Sequence, residues 1–132
     1  MGVRTWWQRR REPAVALDTR SDLVVVAASF DDAESCSAAL DRAAAWDPGT
    51  SALLRHHLRI PADRTGEVVR IAAQDGYTPV TGDDGILLLQ REQLLDALHC
   101  SQERARMAGL AQRHDGTALG WEALQPGSPA GR

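Results

Sequence analysis

The stretch LLRHHLRIP, residues 53–61, constrains the fold more than any other part of this chain. Read as a strand, its side chains alternate between two faces of a sheet. Leu54, His56, Leu58 and Ile60 then share one face, and Leu53, Arg55, His57 and Arg59 share the other. One side is aliphatic. The other is a small basic stripe, able to face solvent or to recognise an acidic group. The same alternation separates the adjacent histidines, so they do not converge on one metal ion. His56, among aliphatic neighbours, reads as a core histidine hydrogen-bonded nearby. His57 lies between two arginines, a setting that disfavours its protonated form and repels a cation.

The flanking segments supply the rest of an α+β pattern. Residues 22–30, DLVVVAASF, are β-rich and bounded by polar clusters, which predicts a largely buried strand. Asp31 as N-cap with Glu34 three residues on resembles a capping box. It opens a helix to about Trp46 with Cys36, Leu40 and Ala44 on one face, stopped by Asp47-Pro48-Gly49. After the strand from about Ala52 to Ile60, Pro61 precedes a second helix. Asp63 is its expected N-cap, Val68, Ile71 and Ala72 its apolar stripe, and Gly76 its left-handed terminus. Thr78–Thr81 and Ile86–Gln90 flank the turn GDDG and predict a hairpin. A long helix from about Glu92 to Arg113 carries Leu94, Leu98, Ser101, Ala105 and Ala108 on one face. Its small residues suit close approach to a sheet. His114-Asp115-Gly116 ends it, and Thr117–Leu124 reads as the last strand.

From Ala52 onward the order is β-α-β-β-α-β, the split pattern of ferredoxin-like folds, with an additional strand-helix unit before it. The predicted organisation is a flexible basic segment (1–20), one α+β domain (21–124) and a loose tail (125–132). Within the domain, residues 22–51 form the additional unit and 52–124 the ferredoxin-like sandwich. With 132 residues and 43% hydrophobic composition, one domain with a sizeable core is expected.

Charge narrows the partners. Residues 1–20 hold Arg4, Arg9, Arg10, Arg11 and Arg20 against Glu12 and Asp18, a net of +3; the whole chain is −3, so the remainder carries −6. An acidic body repels a phosphate backbone, which argues against direct nucleic-acid binding and favours a protein partner. All 15 basic residues are arginine and asparagine is absent, a bias that a GC-rich genome explains. No apolar run approaches the roughly 20 residues of a membrane span, so a cytoplasmic protein with no membrane contact is expected. Trp6 and Trp7 before Arg9–Arg11 read as a tail whose tryptophans dock on the body, with an interfacial anchor or nucleic-acid arm as alternatives. Cys36 and Cys100, far apart and outside any CxxC pattern, read as free thiols.

No arrangement suggests catalysis. His99 and Glu103 have the four-residue spacing of helical metal ligands, but nothing nearby completes a site, and an ordinary surface pair is expected. Asp31-Asp32 and Asp83-Asp84 are explained by capping and turn chemistry. There is no nucleophile elbow, phosphate loop or dinucleotide fingerprint. The expectation is a non-enzymatic chain without metal or cofactor. Gly120-Trp121-Glu122 is more distinctive. Glycine in a strand suggests a bulge or a close backbone approach, and Trp121 reads as a core or sheet-edge residue or as a partner contact.

Three blocks of the chain resemble the regulator of ribonuclease activity B family, protein inhibitors of ribonuclease E. They are HHL (His56–Leu58) followed by PADRTGEVVRIAAQDGYTPV, DDGILL, and ERARMAGLAQRHDG running into ALGWEAL. Together they span roughly residues 52–124. Gly120 and Trp121 match the last two positions of the family's tyrosine-aspartate-glycine-tryptophan signature, with Ala118 and Leu119 in its first two. The resemblance implies a ferredoxin-like domain without catalysis or cofactor that binds an endoribonuclease of the RNase E/G type and lowers its activity. Arg55, His57, Arg59, Gly120, Trp121 and Glu122 are the expected partner-binding residues. A small-molecule-sensing, ACT-like module is the alternative reading, because fold alone does not fix function.

Overall fold

The computed structural model describes Leu17, residues 20–80 and residues 85–127. The predicted alternation of LLRHHLRIP is present: Leu54, His56, Leu58 and Ile60 are all buried, while Arg55 and His57 are half-buried and Arg59 is exposed. In chain order the elements are β1 (Leu23–Ser29), α1 (Cys36–Arg42), β2 (Ser51–Arg59), a 3-10 turn (Ala62–Arg64), α2 (Thr65–Gln74), β3 (Thr78–Val80), β4 (Ile86–Leu94), α3 (Ala97–Arg113) and β5 (Thr117–Pro126).

The five strands form one antiparallel sheet in the order β1-β5-β2-β4-β3. Two antiparallel neighbours in succession make β2 and β3 parallel, with β4 between them. By the same reasoning β4 and β5 are parallel around β2, and β1 and β2 are parallel around β5. Each parallel pair is joined in sequence through a helix, as a crossover requires. The additional strand therefore adds to the sheet beside β5 and leaves β2 at its centre.

Two apolar clusters lie under the helices. One joins Val26, Ala27 and α1 to Leu54, Leu95, Cys100, Trp121 and Ala123. The other packs α2 and the second half of α3 on Leu58, Leu87 and Leu89. A small third cluster on the opposite face holds Leu17 against Leu53 and Leu124.

Several element ends differ from expectation. The first helix starts at Cys36, with the Ser35 hydroxyl accepting the Ala38 N–H at 3.0 Å, and ends at Arg42. Asp31 instead accepts the Ala33 N–H at 2.9 Å, closing a turn before the helix. Glu34 binds the Arg42 guanidinium at 2.6 Å, and Arg42 also donates to the Ala28 carbonyl at 2.7 Å, which ties α1 to β1. Asp63 lies in the 3-10 turn and caps nothing. The long helix begins at Ala97, not Glu92, because Arg91–Leu94 continue β4 opposite Leu54–Ser51. Asp96 caps it, accepting the His99 N–H at 2.7 Å. Gln125 and Pro126 belong to β5 and not to a tail. Gly76 does take the left-handed conformation, with φ 86°. Expectations for residues 1–16 and 18–19, for residues 81–84 of the hairpin and for residues 128–132 lie outside the described residues.

Candidate functional site

The two most distinctive blocks of the sequence form one strand pair. β2 and β5 run side by side with Arg55 opposite Glu122, His56 opposite Trp121 and His57 opposite Gly120. The register shifts after His57, so that Leu58 faces Ala118 and Leu119 is an extra residue. That bulge reverses the alternation along β5 and sends Ala118 and Trp121 to the same, helix-covered face.

On the face opposite the helices, one carboxylate organises the cluster. Glu122 Oε2 lies 3.3 Å from Arg55 Nη1 and 3.2 Å from His57 Nε2. The His57 contact is at ion-pair distance but lacks hydrogen-bond alignment. Arg55 Nε also donates to Gln90 Oε1 at 3.1 Å. A carboxylate from the neighbouring strand therefore neutralises the Arg55 end of the predicted basic stripe. Phe30 packs edge-on against His57 with ring centroids 5.0 Å apart. Its ring covers Gly120 so closely that a Cβ there would come within 2.6 Å of both Phe30 Cγ and the Ser29 carbonyl oxygen. Gly120 thus marks a bulge and a close approach together. Arg59 sits exposed at the strand end, two residues beyond this cluster.

Trp121 does not join that face. It is fully buried in the cluster under α1 and α3, and its indole Nε1 has no partner among the described residues. The partner-contact reading of Trp121 is corrected to core. His56 is a core residue too, 2% exposed, but the expected hydrogen bond at its Nε2 is absent among the described residues. Burial pushes its imidazole down to about 3, so it is neutral at physiological pH.

The His99–Glu103 surface pair is also corrected. His99 Nδ1 pairs with Asp96 at 2.8 Å, whereas Glu103 is buried and accepts the Tyr77 hydroxyl at 2.6 Å and Arg106 Nε at 3.1 Å. Arg91 Nη2 completes this site at 3.4 Å. Burial works against the charge, but the Tyr77 hydrogen bond and the two guanidiniums outweigh it and hold the Glu103 carboxyl below its usual range. Cys36 and Cys100 meet in one cluster, a proximity their sequence separation concealed. Hydrogen bonding from Cys100, with help from the Arg104 charge, holds the Cys36 thiol at about 7 against burial; the same contact and burial push Cys100 up.

A cleft of about 460 Å³ opens between α3 and β5. Ser101, Arg104, Ala105 and Ala108 form its helical wall, and His56 and Gly120 contribute from the sheet. Ser101, Ala105 and Ala108 belong to the small-residue face expected to lie close against the sheet. The core stripe is instead Cys100, Glu103, Met107, Leu110 and Ala111. Small side chains above a bulged strand leave the gap. Arg104 is fixed at one end, donating to the carbonyls of Glu34 at 2.5 Å and Asp31 at 2.9 Å.

Among the described residues no three histidine, cysteine, aspartate or glutamate side chains gather as a metal site, and no helix is long and apolar enough to cross a membrane. Compared with known proteins, the chain matches no family model, no curated protein and no solved structure.

Proposed function

We propose that this chain is a non-catalytic regulator that binds an endoribonuclease of the RNase E/G type through the helix-free face of its sheet and slows RNA cleavage. The observation that carries the reading is the β2–β5 pairing: the HHL and GWE blocks on which the family resemblance rests are partners, His56 against Trp121 and His57 against Gly120. Sequence blocks more than sixty residues apart that share one strand pair behave as a single structural signature.

The order β5-β2-β4-β3, with two interleaved split β-α-β units, supports a ferredoxin-like sandwich for residues 52–124. The extra strand lies on its β5 edge. The Arg55–Glu122–His57 cluster offers a partner both signs of charge, beside the aromatic edge of Phe30, which is 53% exposed. The acidic body complements arginine-rich segments of a protein partner and disfavours competition from RNA. In this reading the protein works in the cytoplasm and lowers cleavage by obstructing the nuclease.

The test is RNA cleavage by a purified RNase E/G-type nuclease from a GC-rich bacterium, with and without this protein. The expected result is slower cleavage together with a stable complex on gel filtration. Unchanged cleavage with no complex at micromolar concentrations overturns the proposal.

A further inference from the structure

We propose that the cleft between α3 and β5 is a binding site for a small zwitterion of the α-amino-acid class with an aromatic side chain. It lies on the helix side of the sheet, so the inference is independent of the nuclease reading, which concerns the opposite face.

The size is appropriate. At about 460 Å³ the cleft falls within the range of ordinary small-molecule sites, roughly 300–1,000 Å³. Its walls combine apolar surface from Ala105, Met107 and Ala108 with a few polar groups, the usual composition of such sites.

The polar groups are placed unequally. Both signs of charge stand at one end. Arg104 is held there by the Asp31 and Glu34 carbonyls, and Asp32, the next residue after Asp31, lines the same cleft. A guanidinium fixed by two backbone acceptors keeps further N–H donors for a carboxylate, and Asp32 offers an acceptor for an ammonium. A phosphate would meet one cation and one anion here, a poor match; a zwitterion meets both.

The sheet side presents His56. Its imidazole is buried and neutral, and its Nε2 lacks a partner among the described residues. A buried polar atom without a partner is uncommon and costly. That Nε2 is sealed from solvent, so the cleft meets His56 through its flat, neutral ring, against which an aromatic side chain can pack. Gly116 and Gly120 bring no side chain to this wall and Ala118 only a methyl, leaving room for a ring.

The test is an amide-resolved NMR titration of the full chain with L-tyrosine and L-phenylalanine, using tyramine and inorganic phosphate as controls. Shifts confined to residues 31–34, 56, 101–112 and 116–121 are expected for the two amino acids. Tyramine, which lacks the carboxylate, binds at least about tenfold more weakly, and phosphate causes no shift. Arg104→Gln reduces amino-acid affinity by about tenfold. Ala105 is exposed on α3, so Ala105→Leu fills the cleft without disturbing the core and abolishes the shifts. Ala108→Leu gives the same loss by a second route. Absence of shifts with both amino acids overturns the proposal, as does binding that survives both leucine variants or maps to the Arg55–Glu122 face.

Discussion

The Tyr77 hydroxyl donates a 2.6 Å hydrogen bond to the buried carboxylate of Glu103, joining the end of α2 to the middle of α3. Arg91 stacks over the Tyr77 ring, 4.7 Å from its centroid, and also reaches Glu103. Arg106 bridges Glu103 to Asp75. One charged group thus binds two helices and β4 together, and its desolvation is offset only while all partners remain.

Tyr77→Phe is expected to lower stability by about 1–3 kcal/mol, the cost of removing a buried donor to a charged acceptor. Glu103→Gln is expected to cost at least as much, because Arg91 and Arg106 lose their counter-charge. The pH dependence distinguishes them. Glu103 titrates below its usual range when folded, so its contribution is present above the unfolded value and lost as pH falls through the folded one. Urea denaturation of Glu103→Gln should lack that acid-side loss, whereas Tyr77→Phe should retain part of it.

His56 creates a second pH dependence with a different window. Its folded value is about 3 against 6.5 for an unperturbed histidine. Between those values the unfolded chain binds a proton that the native state refuses, so stability falls as pH drops below 6.5. The slope is about 1.4 kcal/mol per pH unit for one proton. His56→Leu should remove this slope between about pH 6 and pH 5, before most carboxylates titrate. An unchanged slope in the difference between wild type and variant means His56 is solvated.

Much of the fold was legible locally. The two-residue period of LLRHHLRIP identifies its buried face, and Gly76 marks the end of α2 by conformation alone. The long helix was misread because Glu103 is charged yet buried while Leu98 is apolar yet 63% exposed. Hydropathy assigns both to the wrong side, and only the Tyr77, Arg91 and Arg106 contacts explain the exchange. The residues expected to bind a partner divided for another reason. Arg55 and Glu122 are 67 positions apart, and nothing local sets their register. The bulge at Leu119 then reverses the faces, which puts Glu122 beside Arg55 and Trp121 in the core. Gly120 was the visible hint of that bulge.

Gly120→Ala should destabilise the protein by about 1–3 kcal/mol, since the new methyl meets both a ring and a backbone carbonyl. Phe30→Ala in the same chain removes the ring but leaves the Ser29 oxygen within 2.6 Å of the added carbon. The double variant should therefore recover only part of the loss in thermal unfolding. Full recovery would assign the whole constraint to Phe30.

Trp121→Ala should cost about 3–5 kcal/mol, the range for deleting a large buried aromatic side chain. A variant that keeps the wild-type melting temperature contradicts the placement of Trp121 under α1 and α3.

Charge reversal separates structure from recognition on the helix-free face. Glu122→Arg places a second guanidinium beside Arg55 and next to His57 and should lower both stability and nuclease binding. Arg55→Glu should do the same by leaving two carboxylates face to face across the strands. Combining the two restores an opposite-charge pair, so the melting temperature should return most of the way. The pair is partly exposed, which limits the recovered stability to about 1 kcal/mol. Nuclease inhibition should not return, because a partner that reads this face meets each charge on the wrong strand. If inhibition recovers along with stability, the pair only supports the sheet and the partner binds elsewhere.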